Sequence, residues 1–383
     1  MIIQPTSLAA LTWAGAAAGS AAPSWRIGTV LSARPLGVSP QGLQILQIGS
    51  LTVEADVLSS QLPTQFQVRV LSLGAQPQLE MLTPPADAAL QRAMRESLPQ
   101  QNGYAPLLAT LDALAQRPML RQLPQDLRTA LASLEQALRS PAEVTRGEGL
   151  REAIAHSGLF LEATLARSLG QPPPALQDDW KAALLRLAAT LDSRATAPPV
   201  ASSGQNAGET APPLLQRGLQ AQPRAPLPEL PTDDVAPLLG RLQGEVHAAL
   251  ARIEVAQLES GTGPLPAWMI EIPMHGENGS DVLQVQLEYA IDDGDGSRGW
   301  NLGFALDLPT LGAIQGELQL REPRLSVRLW ATQPDTVHLL ERQFGALRQR
   351  LAACGLLLDQ LTCQLGLPEP PNRYSAVLLQ ATA

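Results

Sequence analysis

Three aspartates, Asp292, Asp293 and Asp295, fall within four positions beside Gly294 and Gly296 in the stretch YAIDDGDGSRGW, Tyr289 to Trp300. Carboxylates this dense are the raw material of a calcium loop or of a pair that handles protons. The spacing does not support calcium. An EF-hand loop begun at Asp293 puts Asp295 and Ser297 at ligand positions, but Arg298 falls where the sharp-turn glycine is required and Phe304 where the bidentate glutamate is required. No histidine or opposing carboxylate stands near them in sequence to complete an acid/base pair. Asp-Gly pairs between two apolar runs are what a hairpin needs, because they supply positive backbone angles, so the stretch reads as a solvated turn.

The remaining reactive side chains are scattered. His156, His247, His275 and His338 do not pair, and Cys354 and Cys363 stand nine residues apart without a C-x-x-C. A metal site needs clustered ligands, so the cysteines read as small buried hydrophobes in a reducing compartment. The sequence holds no G-x-S-x-G, P-loop, H-E-x-x-H or dinucleotide motif. No catalytic residue and no cofactor is expected. A net charge of -9, with Lys181 as the only lysine, excludes general nucleic-acid binding, which needs a dense cationic surface. No segment has the length and hydrophobicity of a bilayer span, so no membrane insertion is expected.

These residues must be carried by something, and the patterning predicts an α+β multidomain chain. Residues 1–24 form an uncharged, alanine-rich leader whose first charge is Arg26, which is not the basic start of a Sec signal. Over 25–85, WRIGTVLSA, LQILQIG, LTVEADVL and FQVRVLSLG alternate as short strands of a small barrel or sandwich, closed by Pro84-Pro85. Over 86–194, leucine and alanine recur at helical spacing, and Pro106, Pro118, Pro124, Pro141 and Pro172 to Pro174 cut the module into short helices. Residues 195–231, rich in Pro, Ala, Gly and Gln, are expected to be a disordered linker, since they cannot bury enough apolar surface to offset ordering entropy. A linking helix over 232–260 leads to a last domain at 266–367 and a tail at 368–383.

The last domain alternates cleanly. Trp268, Ile270 and Ile272 share one face, as do Leu283, Val285, Leu287 and Tyr289, then Trp300, Leu302, Phe304, Leu306 and Leu308, then Ile314, Leu318 and Leu320, then Leu325, Val327 and Leu329. These are half-buried antiparallel strands. Val337, Leu340, Phe344, Leu347, Leu351 and Cys354 then make one helical stripe, with Thr332 or Asp335 as its cap and Gly355 at its end. A strand returns through Leu361, Cys363 and Leu365. The expected architecture is an antiparallel sheet covered by one long helix.

The run from Leu306 to Gly366 resembles the C-terminal domain of flagellar hook-length control proteins of the FliK type. Leu308, Pro309, Leu311 and Gly312 match that family's L-P-x-x-L-G strand, and Leu347, Arg348, Leu351, Gly355 and Leu356 match its helix ending. The resemblance covers about 266–367, and the hairpin-like WMIEIPMHGENGSDVLQVQLE looks like the strand pair that precedes the domain in longer relatives. It implies a non-enzymatic protein, made in the cytoplasm and exported by the flagellar type III apparatus, that gauges the hook. It also implies that the C-terminal domain touches the cytoplasmic domain of the export gate (FlhB) and switches substrate specificity, with hook or hook-cap proteins as further partners. The expected partner surface is Leu308, Pro309, Leu311, Gly312, Ile314, Gly316 and Leu318. Within it Gly316 interrupts the apolar stripe, as a bulge, a close approach by a partner strand or a sheet irregularity. The chain departs from the family in starting with ordered β and helical modules.

Two other classes compete with this interaction protein. One is a cytoplasmic scaffold or adaptor that binds through the N-terminal β module. The other is a hydrolase using Asp292, Asp293 and Asp295, for which no supporting motif is present.

Overall fold

Alternating apolar residues in the first part of the chain form five antiparallel strands, β1 (Val30–Val38), β2 (Gln44–Ile48), β3 (Leu51–Ala55), β4 (Phe66–Ser72) and β5 (Gln78–Leu82), ordered β3-β2-β1-β4-β5. Ala33 of β1 pairs with Phe66 on one side and Ile48 on the other, and these three, with Leu46, Val68, Val70 and Leu79, are buried. The β module is therefore an open antiparallel sheet, with neither barrel closure nor a second packed sheet among the described residues.

The computed structural model describes residues 26–38, 44–48, 51–55, 66–72, 78–82, 85–116, 123–168, 176, 178–194, 210–228, 235–260, 265–276, 279–291, 298–321 and 323–368. They fall into two compact units, 1–93 and 94–383. The expected leader, the aspartate turn with Asp292, Asp293 and Asp295, linker residues 195–209 and the tail from 369 onward lie outside the described residues.

Helices α1 (Pro85–Ser97), α2 (Ala105–Ala115), α3 (Gln125–Ala137), α4 (Pro141–Val144), α5 (Gly147–Ala155), α6 (Leu161–Arg167), α7 (Trp180–Asp192) and α8 (Val235–Ser260) follow. Proline sets their starts: Pro106 lies in the first turn of α2, Pro124 caps α3 and Pro141 opens α4, where no N–H has an intrahelical acceptor. Ser140 and Glu143 add a reciprocal capping box. Leu111 of α2, Leu127 and Leu134 of α3, Leu184 and Leu187 of α7, and Leu242 and Val246 of α8 share one core. Tyr104 meets Trp180 edge-on there, with ring centroids 5.6 Å apart.

The last sheet has six strands, β6 (Ala267–Gly276), β7 (Gly279–Ile291), β8 (Arg298–Leu308), β9 (Gly312–Arg321), β10 (Arg324–Ala331) and β11 (Leu357–Leu365), ordered β11-β10-β9-β8-β7-β6, with helix α9 (Pro334–Ala353) between β10 and β11. It is not wholly antiparallel: β11 runs parallel to β10. The 20 residues of α9 span about 30 Å at 1.5 Å each, which returns the chain to the starting end of β10, and from there the next strand can only be parallel.

Nor does one helix cover the sheet. Its apolar face is roughly 24 Å wide at about 4.8 Å per strand, more than twice the roughly 10 Å width of a helix. The face is shared. Val144 of α4, Ala153 of α5 and Ala256 of α8 pack on Ile270, Ile272, Met274 and Val285, while α9 brings Val337 and Leu340 to Phe304, Ile314 and Ala331. The α9 stripe is accordingly half-buried, and on α9 itself only Thr336 and Val337 are fully buried.

The outer edge at β6 is blunted, as sheets require. Pro273, with no N–H to offer, sits on it, and Arg139 closes over it: Arg139 N donates to Pro273 O at 3.2 Å, and His275 N donates to Arg139 O at 2.9 Å.

Residues 210–228 differ from the expected disordered linker. They follow a fixed path along α2, α8 and β7, with a single 3-10 turn at Leu215–Arg217 and an isolated antiparallel bridge from Gln222 to Val282. The segment has no core of its own, as its composition dictates. It is held by partners far away in sequence.

Candidate interaction site

Strands β8 and β9 turn back at Leu308–Gly312, where Leu311 N donates to Leu308 O at 3.1 Å and Gly312 has φ +69°. That left-handed angle favours glycine, and a Cβ at Gly312 would lie 2.7 Å from Thr332 Oγ1. The tip is pinned to the start of α9. Thr332 N donates to Ala313 O at 3.1 Å, Ala313 N donates to Thr332 Oγ1 at 3.1 Å, and the buried Thr336 hydroxyl donates to Leu311 O at 2.8 Å. Thr332 is therefore spent on the hairpin. The residue at the helix N-cap is Gln333, without a side-chain cap, while Pro334 opens the first turn and Gly355, at φ +77°, ends the helix as expected.

Of the seven residues expected to meet a partner, Leu308, Pro309, Leu311 and Gly312 gather at this tip, with Pro309 and Thr310 exposed. Leu311 faces inward onto Ile314, Ala331 and Val337. Ile314 and Gly316 are buried, and Leu318 lines a trough of about 240 Å3 with Leu215, Leu219, Gly303, Glu317 and Pro368. Gly316 is neither a bulge nor an irregularity: β9 stays in register through it, with Phe304 on one side and Leu329 on the other. An added Cβ would overlap the Phe304 ring, so the glycine makes room for that side chain. Beside the tip, Asp335, His338, Glu341 and Arg342 of α9 form a shallow charged cleft.

A Ser–His–Asp cluster does occur, where α2 meets the β6–β7 turn. Ser280 Oγ lies 2.9 Å from His275 Nδ1 and donates to Asp112 Oδ1 at 3.0 Å. In a nucleophilic triad the imidazole stands between hydroxyl and carboxylate and takes the hydroxyl proton. Here the hydroxyl is in the middle and its proton is committed to Asp112, so the arrangement clamps α2 to the hairpin. Among the described residues no group of three His, Cys, Asp or Glu side chains can hold a metal ion. Both cysteines are free. Cys354 is exposed, contrary to expectation, because it caps α9 beyond the turns that dock. Cys363 is half-buried on β11, and that burial pushes its thiol up, with Glu341 adding to the effect.

The most heavily bonded group was not singled out from sequence. Glu271 of β6 is buried and accepts from Arg252 Nε at 2.5 Å, Arg252 Nη2 at 2.8 Å, Gln222 Nε2 at 2.5 Å and Gln284 Nε2 at 2.6 Å. Arg252 is fully buried and also donates from Nη1 to Gln101 Oε1 at 2.6 Å and Ala211 O at 3.0 Å. Burial works against the Arg252 charge, yet Glu271 holds its pKa above the ordinary arginine value. Burial, followed by the Glu271 charge, raises the neighbouring Tyr104 phenol well above its usual range. One signal was available: Ala249–Ala256 of α8 is apolar all round except for Arg252 and Glu254, the mark of a buried turn, and an arginine inside one requires a buried carboxylate.

Three antiparallel strands continued by a strand–helix–strand crossover, with the hairpin tip locked to the helix start, define the class: a two-layer α+β domain. Residues 291–372 match the family described as Flagellar hook-length control protein FliK, so this part of the chain is similar to that family's domain. The match takes in β8, β9, β10, α9 and β11, and leaves β6 and all of β7 but Ile291 before it. No curated protein and no solved structure matches the chain significantly.

Proposed function

We propose that the chain acts in flagellar hook-length control as a non-enzymatic switch of export substrate specificity, its C-terminal domain binding the cytoplasmic domain of the export gate (FlhB). The observation that carries this reading is the family match over β8–β11. The contact is made by the exposed tip at Pro309 and Thr310 with the adjoining first turns of α9; of the seven residues expected from sequence, Ile314 and Gly316 support the tip from below. Hook or hook-cap proteins are further partners, and the chain is made in the cytoplasm and exported through the flagellar type III apparatus. Among the described residues no helix is long and apolar enough to cross a membrane.

Electron microscopy of hooks tests this. In a strain lacking the native gene, the full chain restores uniform hooks, and a chain lacking residues 266–383 gives polyhooks. Uniform hooks from the shortened chain would refute the reading.

A further inference from the structure

Two glycines are cut to receive residues 210–228. A Cβ on Gly103, ahead of α2, would lie 2.5 Å from Gln222 Oε1 and 2.6 Å from Thr210 Oγ1, and one on Gly303 of β8 would overlap Leu219 Cδ1. Neither glycine has a left-handed φ, so what they provide is space and not conformational freedom. The segment is then fastened by polar groups along its length. Thr210 N donates to Asn102 Oδ1 at 3.4 Å, Gln220 N donates to Gln284 Oε1 at 3.0 Å, and Tyr104 N donates to Gln222 Oε1 at 2.9 Å. Arg224 forks onto Asp281 at 2.5 and 2.7 Å.

Two features make this seating reversible. A segment so rich in Pro, Ala, Gly and Gln has no internal core, so once off its partners it has nothing to hold a shape. Its departure leaves the deepest ion pair intact: Arg252 and Glu271 remain paired with each other, Gln284 still donates to Glu271 and Gln101 still accepts from Arg252. What opens to water is a set of neutral amides and the part-buried Arg224–Asp281 pair, whose two charges the same departure exposes to solvent.

We propose that residues 210–228 are a releasable strap, latched at Gln222, that opens as one unit and uncovers the polar side of β7 and β8. In the closed state it ties α2 and α8 to the C-terminal sheet, and Leu215 and Leu219 wall the trough over β8 and β9. In the open state that face is continuous from Gln284 to Gln319. Such order–disorder of a segment is an established form of switch.

Amide hydrogen exchange on the full chain tests the proposal. The amides of Tyr104, Thr210 and Gln220 exchange with one common protection, lower than that of the Val327 and Leu329 amides in β10. Gly103→Ala, which crowds the latch, and Arg224→Ala, at the far end, each accelerate all three by about tenfold or more, while Val327 and Leu329 are unchanged. Acceleration confined to the substituted end, an equal rise in β10, or no acceleration at all would each overturn it.

Discussion

The ring of Phe304 lies against the backbone of Gly316, its direct cross-strand partner, where any other residue would carry a Cβ. The apolar stripe of β9 is thus continued by a side chain borrowed from β8. Gly316→Ala forces the ring off its seat and costs about 1–3 kcal/mol of stability, read by urea denaturation. In a double-mutant cycle with Phe304→Ala the two changes couple favourably, because the second removes the atoms the first collides with. Additive costs would mean that the glycine is there for another reason.

Glu271 and Arg252 set the second expectation. Removing one partner leaves a buried, uncompensated charge, so Glu271→Ala costs about 3–5 kcal/mol. The paired replacement Arg252→Met with Glu271→Leu costs less than either half alone, since no ion is then left without a counterion. Chemical denaturation of the three variants checks the order.

Asp179 yields a pH dependence. Its carboxylate caps α7, accepting from Ala182 N at 2.9 Å, and a helix N-terminus favours negative charge. Burial outweighs that and raises its pKa above 3.8. The folded state therefore binds the proton more tightly than the unfolded one. The associated stability is fully present below the unfolded value and is lost as pH rises from it through the folded value. Asp179→Asn keeps the capping oxygen without the charge, so it is more stable than the native protein at neutral pH, and the difference vanishes as pH falls below 3.8. Thermal unfolding across that range reads both.

Local patterns were legible and remote partners were not. The alternation through Trp300, Leu302, Phe304 and Leu306 announces β8, the prolines announce the helix starts, and Gly355 announces the end of α9, because each depends on neighbours within a turn or a pleat. The parallel pairing of β11 depends on where a helix delivers the chain, which no window of sequence contains. Residues 210–228 read as linker for the same reason: what orders them is Glu271, Tyr104 and Asp281, which lie in other elements. At the candidate site Leu308, Pro309, Leu311 and Gly312 were expected as a strand motif, and they form the turn between β8 and β9. That Thr332 serves the hairpin and not the helix was not legible, since a threonine before a helix is read by default as a cap.

The tip separates support from contact. Leu311 packs inward, half-buried, and Thr336 holds its carbonyl, so Leu311→Ala costs about 1–2 kcal/mol and weakens partner binding only through loss of fold. Pro309 and Thr310 face solvent. Pro309→Ser with Thr310→Arg changes stability by less than about 0.5 kcal/mol, yet it abolishes capture of the chain by the immobilised cytoplasmic domain of the export gate and produces polyhooks in cells. Capture at native strength by that double variant, with unchanged unfolding, would place the binding surface elsewhere on the domain.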